Sequence, residues 1–214
     1  MSVTANPNIR GFVLAGGASS RFGRDKALVE FDGEPLVARL CRILHAATAG
    51  NVRIIGDAKK YAHVGVECIP DRWPGEGPLG GIITALMATE PNDDSKDLPS
   101  WCSIIGCDMP FLTIEWLRHL AERADTSTAE VIVPESTYGL EPLCACWRVS
   151  ALPALTRLFD SGVRRVTAAM KQLQMEVLDA ADWKRFDNLN RLFWNMNTPA
   201  NHEEAIRMLK TERT

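Results

Sequence analysis

Apolar positions along this chain fall into short continuous runs separated by segments of helical spacing, a pattern that predicts alternating strands and helices. Ile9, Phe12, Val13 and Leu14 predict a buried first strand that breaks at Gly16-Gly17. Ala27 to Phe31 predicts a short extended piece ending in the turn Asp32-Gly33. Pro35 then opens a helix carrying Leu36, Val37, Leu40, Ile43 and Leu44 on one face. Val52 to Ile55 and Val64 to Ile69 predict two further buried strands. Strand, helix and strand in this order imply a parallel sheet with right-handed crossovers.

The stretch Pro70 to Gly81, PDRWPGEGPLGG, is too rich in glycine and proline for either regular element and predicts a long loop. Ile82, Ile83, Leu86 and Met87 predict the helix after it. Trp101 to Ile105 predicts a fourth strand running straight into Gly106-Cys107-Asp108-Met109-Pro110, and Thr113 predicts the cap of the next helix. Glu130 to Pro134 and Pro142 to Trp147 predict an antiparallel pair joined at Tyr138-Gly139. Helices are expected over Ser150 to Phe159 and Val166 to Leu173, with a small strand at Glu176 to Leu178. A last strand should end in Leu192 to Asn195, followed by a helix with Thr198 as N-cap and Pro199 at its first position.

Composition narrows this picture little. A chain of 214 residues suits one domain, expected here over residues 9–214 behind a short leader at residues 1–8. A net charge of −3 speaks against a nucleic-acid-binding face. No apolar run approaches the ~20 residues that span a bilayer, so membrane association is not expected and the cytoplasm is the expected compartment. The six cysteines (41, 68, 102, 107, 144 and 146) form no C-x-x-C pair and read as buried free thiols.

Charge is informative locally, in LAGGASSRFGRDKAL, Leu14 to Leu28. Adjacent glycines let the backbone approach a ligand closely, and Ser19, Ser20, Arg21, Arg24 and Lys26 supply donors beside the single carboxylate of Asp25. Strand, glycine turn and cation cluster together describe a polyphosphate cradle. The loop lacks both G-x-x-x-x-G-K-[ST] and G-x-G-x-x-G, so it is neither a Walker A loop nor a dinucleotide fingerprint. The plain alternative is a glycine-rich turn with solvated charges. Asp108, at the end of a buried strand, lies where open α/β sheets bind ligands.

Four separated motifs taken together carry a resemblance: LAGGASSRFGRDKAL, GPLGG (Gly77 to Gly81), CDMPF (Cys107 to Phe111) and NMNTP (Asn195 to Pro199). In this order, with PLCA (Pro142 to Ala145) and GVRRV (Gly162 to Val166), the chain resembles the molybdenum cofactor guanylyltransferase family. The resemblance implies an α/β, single-domain, Rossmann-like nucleotidyltransferase fold, with a mixed, mostly parallel sheet and helices on both faces. It implies GMP transfer from Mg-GTP to the terminal phosphate of molybdopterin, with release of pyrophosphate. It also implies Mg²⁺ as cofactor and transient contact with the receiving molybdoenzymes or their chaperones.

Carried over by motif, Leu14, Ala15, Gly16 and Gly17 would line the nucleotide site. Gly56 would join them after the second strand, where the family often carries Asn. Asp71 would lie in the same pocket, with the chemistry to accept from guanine N1–H and N2–H. Arg21, Lys26 and Asp108 would be the catalytic set, Asp108 also holding the metal. Pro142, Asn195 and Asn197 would lie toward the acceptor, and Arg164-Arg165 could meet its phosphate. Glu141 stands before PLCA, where His or Gln is commoner.

A phosphate nucleophile is already ionised at neutral pH and needs no strong base. That agrees with four histidines lying outside every motif. The rival readings are a cytidylyltransferase using the same acceptor, whose relatives tend to read LAAG, a sugar-phosphate nucleotidyltransferase, and a nucleotide-binding regulatory protein.

Overall fold

The computed structural model describes residues 8–16, 25–48, 52–89, 100–187 and 189–211. Arg21 and Gly17, with Ser19, Ser20, Phe22 and Arg24, lie outside them. Strand β1, Ile9–Ala15, occupies the middle of the main sheet and pairs in parallel with β4, Val52–Gly56, and with β6, Trp101–Gly106. Beyond β4 comes β5, Cys68–Ile69, also parallel. On the other side, β9, Cys144–Arg148, runs antiparallel between β6 and β7, Val131–Ser136. Strand β10, Met175–Leu178, closes that edge in parallel with β7, and β8, Gly139–Leu140, turns back on β7. The expected mixed, mostly parallel sheet is present, with the order β10-β7-β9-β6-β1-β4-β5.

Both faces of the sheet are covered, which is why its central strands are mainly apolar and do not alternate strictly between apolar and polar. Ile9, Val13, Trp101 and Ile105 point to one face, under α1, Leu36–Ala47, and α4, Ile114–Thr126. Phe12, Cys102 and Ile104 point to the other, under α3, Pro78–Met87, and α5, Leu152–Asp160. Thr113 caps α4 as expected, its hydroxyl accepting from Trp116 N at 3.2 Å. The six cysteines are free, five of them buried, and burial pushes the thiols of Cys41, Cys102 and Cys144 up to about 12.

Several expected elements come out differently. Lys26–Leu28 is a turn of 3-10 helix, because the Asp25 carboxylate caps it by accepting from Ala27 N at 3.1 Å. The extended part that follows is a two-residue strand, β2, Glu30–Phe31, which folds back on β3, Glu34–Pro35, through Asp32-Gly33. Asp57 caps a short helix, α2, Ala58–Tyr61, which continues as a 3-10 turn to Val64, so that only Cys68–Ile69 of the strand expected from Val64 pairs. Helix α3 starts inside the expected loop, at Pro78, with Gly77 as N-cap at a φ of +92°. Helix α6, Val166–Met170, is shorter than expected, and α7, Ala180–Trp183, was not anticipated.

The strand expected at Leu192 to Asn195 is a turn. Its apolar side chains are buried all the same, Phe193 packing edge-on against Trp116 and Trp183. The helix after it, α8, Pro199–Thr211, forms as expected, with the Thr198 hydroxyl accepting from Asn201 N at 3.2 Å.

Candidate active site

The chain leaves β1 to build β4 and β5 on one side, then returns to place β6 on the other. This reversal opens a crevice at the carboxyl ends of β1 and β6, where ligands bind in open α/β sheets. A cleft of about 320 Å³ lies there. Leu14, Gly16, Lys26, Gly56, Asp71 and Asp108 all line it. Six residues drawn from four separate stretches of sequence therefore meet in one place. Ala15 does not line the cleft; its side chain is buried in the core on the opposite face from Leu14.

The sequence reading missed part of the lining. Gly75, Gly77, Pro78 and Gly81 border the cleft, because α3 begins here and not after the loop. Proline just inside a helix start and glycine just before it were the available signal. The first turn of a ten-residue helix carries unpaired amides and the positive end of its dipole, both suited to an anion. Leu143, beside the expected Pro142, also lines the cleft, and its carbonyl accepts from Gly106 N at 2.7 Å.

The lining of the cleft holds an ion pair. Lys26 Nζ donates to Asp108 Oδ2 at 3.0 Å, both side chains being mostly shielded from solvent. Each partner is held from behind. Asp25, next to Lys26, spends one carboxylate oxygen on its own cap and accepts from the Tyr61 hydroxyl at 3.0 Å with the other. Burial and the Asp25 charge push the Tyr61 phenol well above its ordinary range, so it remains a donor. Asp108 is tied through its backbone: Cys107 N donates to Leu14 O at 3.2 Å, and Met196 N donates to Asp108 O at 2.7 Å.

The NMNTP segment reaches the same place from the far end of the chain. Asn197 Oδ1 accepts from Lys26 Nζ at 3.2 Å, whereas Asn195 donates to Phe193 O at 3.2 Å in its own turn. Asp71 has one oxygen committed to its loop, where Oδ1 accepts from Trp73 N at 3.0 Å and from the Thr84 hydroxyl at 3.2 Å. Arg164 is a tether: it donates to Glu76 at 2.6 Å and to Phe159 O at 2.6 Å, and lies over the Phe159 ring. It thus fixes the glycine-rich loop from outside.

Asp108 fits a divalent cation. Its Oδ1 is buried and has no hydrogen-bond partner among the described residues. An unpaired buried carboxylate oxygen is costly unless something positive meets it. No group of three or more His, Cys, Asp or Glu suited to a metal occurs among the described residues. Hard divalent ions bound through one or two carboxylates, with phosphates and water completing the shell, are compatible with that composition.

Glu141 turns inward. It is 9% exposed, and its Oε1 accepts from the Ser136 hydroxyl at 2.6 Å. Burial raises its carboxyl pKa, and the Asp108 charge adds to the rise. A raised pKa in the folded state means that the protonated form is favoured there. The stabilisation is complete below the unfolded carboxylate's ordinary range and is lost as pH rises through the folded value. Glu141→Gln should therefore gain stability relative to wild type on going from pH 4.5 to pH 7.5. Urea denaturation at the two pH values measures this, and a gap that does not widen with pH would refute it.

A crevice at a switch point, a helix amino end and a lysine–aspartate pair suit a phosphate-bearing ligand, and the sheet around them has the α/β architecture of the nucleotidyltransferases. The comparisons make this particular. A profile described as MobA-like NTP transferase domain matches residues 11–175, and the chain belongs to that family. A probable molybdenum cofactor guanylyltransferase of Deinococcus radiodurans is 36% identical over 181 residues, covering 84% of this chain and 88% of its own. Another, of Opitutus terrae, is 32% identical over 200 residues, covering 91% and 94%. Among solved structures, molybdopterin-guanine dinucleotide biosynthesis protein A from Archaeoglobus fulgidus superposes with a TM-score of 0.77 at 24% identity, covering 94% of this chain and 99% of its own. The fold is shared along nearly the whole length.

Proposed function

We propose that this protein transfers GMP from magnesium-bound GTP to the terminal phosphate of molybdopterin, releasing pyrophosphate. The observation that carries the reading is the Lys26–Asp108 pair, with its one carboxylate oxygen unpaired among the described residues, in the lining of the switch-point cleft. An acceptor phosphate oxygen attacks the α-phosphorus of the nucleotide. As the new P–O bond forms, the bond to the β-phosphate breaks and pyrophosphate leaves with the electron pair.

Little proton movement is needed, since the attacking phosphate is already ionised. None of His45, His63, His119 and His202 lines the cleft. The residues position charge instead. Lys26 bears on the triphosphate as a point charge, the α3 amino end receives anionic oxygens, and Asp71 reads the base edge. Asp108 would hold the divalent ion, whose chemistry is to neutralise the charge shared between the phosphates.

Thermal unfolding with GTP, CTP, UTP and ATP, each with and without Mg²⁺, followed by pyrophosphate release with molybdopterin, tests the reading. A ligand at ~100 times its dissociation constant adds about 2.7 kcal/mol of stability, so binding is readily visible. Stabilisation by Mg-GTP, and turnover only with molybdopterin present, is the expected result. A response to CTP in place of GTP would move the assignment to cytidylyl transfer, and no response to any nucleotide would overturn it.

A further inference from the structure

We propose that Asn197 is a positioning residue for Lys26, acting on the nucleotide and not through contact with the acceptor. The inference rests on the functional reading above and goes beyond it. Lys26 has three N–H groups. Among the described residues one meets Asp108 Oδ2 at 3.0 Å and a second meets Asn197 Oδ1 at 3.2 Å. These two acceptors differ in what happens when a cation is bound. The Asp108 carboxylate is then claimed by the cation, and two positive charges cannot share it closely without repulsion. Asn197 is neutral, carries no attraction for the metal comparable to a carboxylate's, and keeps its hold on the ammonium. It leaves Lys26 one anchor and frees the remaining donors for phosphate oxygens.

The segment carrying Asn197 is built to hold that place. Met196 is fully buried, and its amide donates to Asp108 O at 2.7 Å, so the two acceptors of Lys26 are locked to each other through the backbone. On the other side, Asn201 Oδ1 accepts from Asn197 N at 3.3 Å, from Thr198 N at 3.1 Å and from the Thr198 hydroxyl at 2.8 Å. The Thr198 hydroxyl in turn accepts from Asn201 N, closing a reciprocal cap on the 13-residue α8. A helix start thus fixes the Asn197 backbone, and Asn197 fixes the lysine. Asn195, two residues earlier, makes no such contact among the described residues and bonds within its own turn.

The test measures Mg-GTP binding by titration calorimetry with no acceptor present, on wild type, Asn197→Leu, Lys26→Met and the double variant. Asn197→Leu should weaken binding about three- to tenfold, the scale of one partly exposed hydrogen bond to a charged group. In the Lys26→Met background the same change should have no further effect, because the group it acts through is gone. Asn197→Gln, which keeps a neutral amide oxygen able to reach the ammonium, should recover part of the binding. Unchanged Mg-GTP affinity in Asn197→Leu, or an equal loss in both backgrounds, would overturn the inference. The first would leave Asn197 to the acceptor and the second would make its role merely structural. Wild-type protein that binds no GTP would be a separate outcome, overturning the functional reading and this inference with it.

Discussion

Asp108→Asn is expected to lower kcat/KM for nucleotidyl transfer by about a thousandfold or more while leaving the fold intact. The substitution is isosteric and removes one charge, but that charge has two tasks. It pairs with Lys26 at 3.0 Å, and its second oxygen is buried without a partner among the described residues. A metal held against developing phosphate charge contributes several kcal/mol to a transition state, and the loss of a single oriented stabilising group already costs about 10² to 10³ in rate. Stability should change by less than about 1 kcal/mol, since the pair is partly open to solvent and an amide can still accept from Lys26.

Binding of GTP without metal should be retained or improved, because an anion near the triphosphate has been removed and Lys26 released. Steady-state rates, urea denaturation and nucleotide titration on one preparation separate the three effects. Transfer at a near wild-type rate with Mg²⁺ would show that the ion is held elsewhere.

Most of the framework of this site was legible in the sequence, and the reason lies in burial. Strands β1, β4 and β6 are covered on both faces, so Ile9 to Leu14, Val52 to Ile55 and Trp101 to Ile105 read as mainly apolar segments, broken by Arg10-Gly11, Arg53 and Ser103. Helices α1 and α4 have one buried face each and read by their spacing. What escaped is short or non-local. Helix α2 is four residues long, too brief for any periodicity, and is set by the Asp57 cap. Leu192 and Phe193 are as apolar as a strand but are buried through a turn, whose amides at Leu189 and Leu192 donate to the Asp187 carboxylate.

The placement of β9 between β6 and β7 rests on pairings such as Ile105 with Cys144, which local pattern does not encode; only the pairing with β7 was visible through the short connection. Within the site the same division holds. Lys26 and Asp108 stood out by chemistry and motif, but their contact spans 82 positions and that of Lys26 with Asn197 spans 171. Nothing local announces either one.

Gly56→Ala is expected to destabilise the protein by about 3 kcal/mol, at the upper end of what overpacking by a methyl group costs. Motif resemblance alone puts Gly56 at the nucleotide, and it does line the cleft. Its geometry adds a second demand. A Cβ built there would stand 2.2 Å from Ala15 O and 2.9 Å from the Tyr61 ring. The first obstacle is backbone, in the paired residue of the central strand, and cannot rotate away. Relief requires the ends of β1 and β4 to part, at the point where they shape the cleft. Pushing Tyr61 aside would also disturb its hydroxyl bond to Asp25, and with it the turn that presents Lys26. The variant should therefore bind Mg-GTP more weakly even under conditions where it is fully folded. Gly16→Ala is the matched comparison: its Cβ would meet nothing within 4 Å, so stability should move by less than about 0.5 kcal/mol. Urea midpoints for the two variants, with GTP titrations below the transition, decide the matter. A Gly56→Ala protein as stable as Gly16→Ala would mean that the strand ends separate without cost, and that the cleft does not depend on their close approach.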